Sequence, residues 1–105
     1  MDKRSHELIE YLSKGIDSPD VSGFELIELL DIRSLIASRE PLLTEADRSL
    51  LENLDRRMMR MADFLYARIS EVVDVSDSRR RSHCLPSHWW WYLDEMVQRK
   101  QEFVG

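Results

Sequence analysis

Between Pro41 and Pro86 the chain contains no glycine or proline, the two residues that most readily end a helix. Within this stretch, apolar side chains recur at three- and four-residue spacing, the period of one face of an α-helix. This stripe consists of Leu51, Leu54, Met58, Met61, Leu65, Ile69 and Val72. The pattern predicts one long amphipathic helix over residues 44–75, with Thr44 as N-cap and Asp47 completing a capping box.

A helix over residues 44–75 would be about 48 Å long, at about 1.5 Å per residue, and would extend beyond a compact domain of this size. Its apolar stripe must therefore be covered either by other helices of the same chain in relay or by a second copy. Because symmetric dimers are the commonest oligomers, the stripe predicts a homodimer.

The whole chain fits a single helical domain over residues 1–105. Apolar residues make up 43% of it and charged residues 33%, with only three glycines and three prolines, which excludes low-complexity disorder and favours helices. We predict an all-α fold, a small four-helix bundle joined by one polar linker at residues 76–86. The predicted helices cover residues of about 5–14, 19–38, 44–75 and 87–104.

The second predicted helix has two candidate N-caps, Ser18 and Ser22. Ser22 is favoured because Glu25, three residues later, can complete a capping box. The apolar residues of this helix surround much of its circumference instead of forming one stripe, which predicts that it lies in the middle of the bundle.

Residues 89–92 are three tryptophans followed by a tyrosine. Since a helix turns by about 100° per residue, four consecutive rings cannot all face one core. On the predicted helix Trp91 would face solvent, unless it forms a hydrophobic staple with Pro86 or packs beneath the linker. The alternative is functional: Trp90 and Trp91 anchor a partner protein, because buried aromatic side chains dominate many interfaces.

Arg79, Arg80 and Arg81 form the one dense basic cluster, and they suit either a partner protein or nucleic acid phosphates. The net charge of −5 opposes the second possibility, because residues 1–54 carry twelve acidic and six basic side chains. A short arginine run is also typical of a solvated turn or of ion pairs with helix carboxylates.

Candidate chemistry is sparse. His83, Cys84 and His88 could ligate a metal, but their spacing matches no structural zinc pattern and a fourth ligand is missing, so we predict neither a metal nor a cofactor. We find no residue spacing that indicates a nucleophile with its base, a pair of catalytic carboxylates or a glycine-rich phosphate loop.

The cellular location follows from two absences in the sequence. A single cysteine allows no internal disulfide, which favours a reducing compartment. Met1 to His6 lack the apolar region of a signal peptide, and nowhere do apolar residues run together for a membrane span. We expect a cytoplasmic protein without a membrane partner.

The sequence thus predicts a non-enzymatic protein-interaction module, an adaptor or regulator that binds a partner protein or a second copy through the aromatic start of its fourth helix. The alternative is a nucleic-acid-associated or antitoxin-like regulator that uses the Arg79–Arg81 cluster. A third possibility is an enzyme whose active-site residues are scattered in sequence.

Overall fold

The computed structural model describes residues 3–18, 20–82 and 84–104, with side chains as far as Arg99. These residues contain six α-helices and no strand, so the predicted all-α class is confirmed and the predicted count of four helices is wrong. The helices are α1 (Lys3–Asp17), α2 (Gly23–Ser38), α3 (Glu45–Arg60), α4 (Ala62–Ser70), α5 (Val75–Arg81) and α6 (Leu93–Val104). Two short 3-10 turns cover Glu40–Leu42 and Trp89–Trp91.

The N-cap of α2 is the one that the sequence favours. The Ser22 hydroxyl accepts the Glu25 amide N–H at 3.3 Å, and the Glu25 carboxylate accepts the Ser22 amide N–H at 3.3 Å. Pro19, at which the predicted range began, lies outside the described residues. α2 packs against α1, against α4 and against the tryptophan turn, but it is not surrounded as the sequence predicted, because Phe24 and Leu35 are exposed on its remaining side.

Helix α1 continues past its predicted end at residue 14. Gly15 does not end it and instead permits close packing, because a Cβ at this position would lie 2.5 Å from Cδ2 of the buried Leu29. The glycine therefore sets how closely α1 approaches α2.

The predicted long helix over residues 44–75 is instead two helices, α3 and α4, and α5 begins only at Val75. Thr44 caps the start of α3 as predicted, by accepting the Asp47 amide N–H at 3.1 Å, but the Asp47 carboxylate bonds to His6 at 3.0 Å and does not complete the predicted capping box. The first break is at Met61, whose φ of −95° and ψ of 8° are not helical. It allows two directions of packing, since α3 packs on α1 whereas α4 packs on α2 and α6. The second break follows Ser70, in a segment that contains β-branched valines.

The apolar stripe of this region belongs mainly to the core of a single chain. Five of its seven members are buried, Met61 is half-buried and Val72 is exposed. The buried members are Leu51, Leu54, Met58, Leu65 and Ile69. Helices α1, α2 and α6 cover α3 and α4 in relay, so the stripe is not free to form the predicted dimer interface.

The predicted polar linker over residues 76–86 contains α5. Asp74 caps this helix by accepting the Asp77 amide N–H at 3.2 Å, which compensates for the weak helix propensity of the polar residues that follow. The last helix, predicted from residue 87, begins only at Leu93. Among the described residues no helix is long and apolar enough to cross a membrane.

Candidate functional site

The predicted partner anchors Trp90 and Trp91 lie inside the protein, with side chains that are 2% and 3% exposed. They belong to the 3-10 turn before α6, where successive side chains also point in different directions, yet both indoles are covered and both bond to Ser34 of α2. The prediction that Trp91 faces solvent is therefore wrong for the folded chain. The predicted staple with Pro86 is also wrong, because α6 starts after both of its members.

Ser34 on α2 satisfies both buried indoles. Its Oγ accepts the N–H of Trp90 at 3.0 Å and the N–H of Trp91 at 3.0 Å. A hydroxyl oxygen offers two acceptor sites and one proton. The third neighbour of Oγ, Nδ1 of His88 at 3.3 Å, must therefore accept the Ser34 proton. This requires a neutral His88 whose ring hydrogen is on Nε2. We call Ser34, His88, Trp90 and Trp91 the indole–serine cluster.

The surroundings of Trp90 also keep His88 neutral. The His88 ring stacks on Trp90 with 4.6 Å between ring centroids, and the Arg33 guanidinium lies 4.1 Å from the Trp90 ring centroid. Burial, followed by the positive charge of Arg33, lowers the pKa of His88 from 6.5. Arg33 itself is paired with both carboxylate oxygens of Asp55, at 2.8 and 2.9 Å.

The three predicted partner-binding arginines differ in their surroundings. Arg79 is largely buried: it donates to the Asp94 carboxylate at 2.7 Å and to the Trp91 carbonyl oxygen at 2.9 Å. Arg80 and Arg81 are exposed and lie 3.8 and 3.0 Å from the Asp77 carboxylate. The alternative of ion pairs with helix carboxylates therefore holds for Arg79, which is not free to bind phosphate.

The exposed side of α2 combines large apolar and acidic side chains. Phe24 is 63% exposed and Leu35 is 48% exposed. Glu28 and Asp31, between them on the same side, are also exposed. These four residues are called the outer face of α2 below. The apolar residues around the circumference of α2 are thus not all buried, since Phe24 and Leu35 lie on its open side.

Two grooves border the outer face of α2. One, of about 330 Å³, lies toward α1 and is lined by Tyr11, Val21, Glu28 and Leu29 among others. The other, of about 190 Å³, lies toward the indole–serine cluster and includes Asp31, Cys84 and Leu85. A third groove, of about 310 Å³, continues past Leu85 to the half-buried Trp89.

The described residues give little support to catalytic or metal chemistry. No group of three or more His, Cys, Asp or Glu side chains converges among them, and His83, one of the metal candidates, lies outside the described part of the chain. Burial raises the pKa of the half-buried Cys84 thiol, which disfavours the nucleophilic thiolate. The lone pairs of Ser34 are occupied by indole N–H groups, so its contact with His88 does not form a nucleophile–base pair.

Sequence analysis missed the two residues on which the tryptophans depend, Ser34 and Arg33. Both interrupt the apolar run of α2, and this interruption was the available signal. It could not identify the partners, because Ser34 is 56 and 57 residues away from the two indoles that it binds.

Comparison with known proteins adds no further assignment: no family model, curated protein or solved structure matches this chain.

Proposed function

We propose that the protein is a non-enzymatic protein-interaction module, an adaptor or regulator whose partner docks on the outer face of α2. The observation that carries this proposal is the exposure of Phe24 and Leu35 on one side of a helix that also supports the core. Single exposed apolar residues are common, but two large ones on one helix face, bordered by grooves, are typical of a docking surface.

The docking surface differs from the one that the sequence favoured. Trp90, Trp91 and Arg79 serve the fold, whereas Arg80 and Arg81 remain exposed at the protein surface. The indole–serine cluster lies beside the outer face of α2, across the groove that includes Asp31, and holds this helix against the tryptophan turn. Its role in the proposal is to support the docking surface, not to contact the partner.

A heterologous partner fits this surface better than a second copy. In a twofold dimer the same patch meets itself, so Glu28 and Asp31 would approach their own counterparts. Like charges that face each other across an interface oppose association. If the protein also forms the predicted homodimer, another exposed surface must mediate it, since the apolar stripe is buried within the chain.

The nucleic-acid alternative retains less support. Only Arg80 and Arg81 of the basic cluster are exposed, and both lie beside Asp77. The acidic outer face of α2 repels phosphate. We therefore assign the module to protein recognition, in the cytoplasm that the single cysteine suggests.

The experiment compares partner capture by three full-length baits from nuclease-treated lysate of the native host. The baits are wild type, Phe24→Ser with Leu35→Ser, and a control, Met59→Ser with Phe64→Ser, which changes two exposed apolar residues elsewhere. We expect one protein to be retained by wild type and by the control, and lost with the outer-face variant at unchanged circular dichroism. Equal retention by all three baits would refute the docking surface.

A further inference from the structure

We propose that the segment bound by the outer face of α2 is a basic amphipathic helix, with two apolar residues eleven positions apart and lysine or arginine between them. This inference rests on the proposed function, because it assigns a class of partner to the same surface.

The spacing of the outer face defines the apolar part of the partner. Phe24, Glu28, Asp31 and Leu35 follow each other at intervals of four, three and four residues, so they lie within an arc of about 60° on α2. The two apolar side chains are separated by about 16 Å along the helix axis. A second helix laid along α2 meets them with two apolar residues at the same separation.

The charges of the outer face define the rest of the partner. Glu28 and Asp31 are three residues apart on one helix face, where like charges repel. Burial and the neighbouring Glu28 raise the pKa of Asp31. Glu28 accepts the Tyr11 hydroxyl at 3.0 Å, whereas Asp31 makes no hydrogen bond or ion pair within the described residues.

No basic side chain of α2 compensates for these two carboxylates. Arg33, the one basic residue of this helix, is buried and paired with Asp55. A cation brought by a partner would therefore meet two carboxylates that have no ion-pair partner within the described part of the chain, and would relieve their mutual repulsion.

The shape of the surface suits a helix. The outer face forms a ridge between the grooves of about 330 and about 190 Å³. Side chains that flank the contact line of a docked helix can enter these grooves, on one side against Tyr11 and Val21 and on the other against Leu85. Lys14 lines the first groove together with Glu28, but within the described residues it forms no ion pair with Glu28 or Asp31.

The test uses three synthetic helix-forming peptides that share two leucines eleven positions apart. They differ only at the two intervening positions that match Glu28 and Asp31, which carry lysine, glutamine or glutamate. Binding to the full-length protein is measured by fluorescence anisotropy at low and at high salt. We expect the lysine peptide to bind about tenfold more tightly than the glutamine peptide at low salt, and the glutamate peptide to bind most weakly.

Two charge variants separate the docking surface from the overall negative charge. Glu28→Gln with Asp31→Asn should remove the preference for lysine. Glu45→Gln with Glu52→Gln, which changes the net charge equally at exposed positions of α3, should retain it. Equal affinity for the lysine and glutamine peptides, or no binding of any peptide, would overturn the inference.

The same measurements distinguish this inference from the proposed function. A natural partner that still depends on Phe24 and Leu35, together with no preference for lysine, leaves the docking surface in place and refutes the basic helix. A dimer in sedimentation that Phe24→Ser with Leu35→Ser dissociates would identify a second copy as the occupant, and would likewise overturn the inference.

Discussion

The Oγ of Ser34 lies 3.3 Å from Nδ1 of His88, and both lone pairs of this oxygen already accept indole N–H groups. One hydroxyl thus joins α2 to the segment that precedes α6. The arrangement works only with a neutral imidazole, since a protonated Nδ1 would present a second hydrogen to an oxygen with no free lone pair.

Ser34→Ala should destabilise the protein by about 2–4 kcal/mol, because it leaves the N–H groups of Trp90 and Trp91 buried without an acceptor. The free energy of unfolding is measured by urea denaturation followed by far-UV circular dichroism. Ser38→Ala, at an exposed position of the same helix, should change it by less than about 0.5 kcal/mol. Similar effects of the two substitutions would contradict the role of Ser34.

His88 should make the protein less stable in acid. Its pKa is lowered in the folded state, so the unfolded chain binds the proton first. The contribution of His88 to stability is full above about pH 6.5 and is lost as the pH falls toward the folded-state pKa. In His88→Asn the amide oxygen can accept the Ser34 proton without titrating. The urea midpoint of this variant should then change less between pH 5 and 8 than that of the wild type. The same dependence of the midpoint on pH in both proteins would refute this role.

His6 should have the opposite effect. A hydrogen bond with Asp47 at 3.0 Å, supported by Glu10 at 3.1 Å, raises the pKa of His6 above 6.5. The unfolded chain therefore loses its proton first as the pH rises. The stability due to His6 is full below about pH 6.5 and disappears as the pH rises through the folded-state pKa. In His6→Asn, which keeps a donor for Asp47, the urea midpoint should fall less as the pH rises. Its fall at acid pH should remain.

Gly23→Ala should destabilise the protein by about 1–3 kcal/mol, although alanine normally favours a helix. A Cβ at Gly23 would lie 2.4 Å from the Arg68 carbonyl oxygen, a backbone atom that cannot move without shifting α4. At Gly15 the obstacle is the side chain of Leu29, which can change its rotamer. Thermal unfolding should therefore show a larger loss for Gly23→Ala than for Gly15→Ala, and the reverse order would contradict this packing.

Arg79→Gln should destabilise the protein by about 1–3 kcal/mol, because it removes the partner of the partly buried Asp94 and a donor to the Trp91 carbonyl. The exposed ion pair of Arg80 with Asp77 is worth much less, so Arg80→Gln should stay within about 0.5 kcal/mol. Urea denaturation of the two variants compares a structural arginine with a surface one. Equal decreases in the free energy of unfolding for the two variants would refute this distinction.

The features that the sequence predicted correctly depend on neighbouring residues. The N-caps Ser22 and Thr44 are recognisable because a capping side chain bonds to an amide three residues later. The stripe over α3 and α4 was recognisable as an apolar face because helical periodicity marks burial, whichever element provides the cover.

The features that the sequence could not predict depend on distant residues. No proline or glycine near Met61 predicts the break there. The break arises where the chain changes from packing on α1 to packing on α2 and α6. Asp74 is a local signal for the start of α5, since it can act as an N-cap, but the polar composition of the residues that follow favours a linker. The burial of Trp90 depends on a serine that no local pattern connects to it.

All three tryptophans of the chain belong to one 3-10 turn that faces α2. Intrinsic ultraviolet emission from this protein therefore reports almost entirely on one junction, the contact between Ser34 and residues 89–91. Emission will detect the detachment of this turn and will not register separate loosening of α1 from α3. An emission change that precedes the loss of helical signal would identify this junction as the first part of the fold to open.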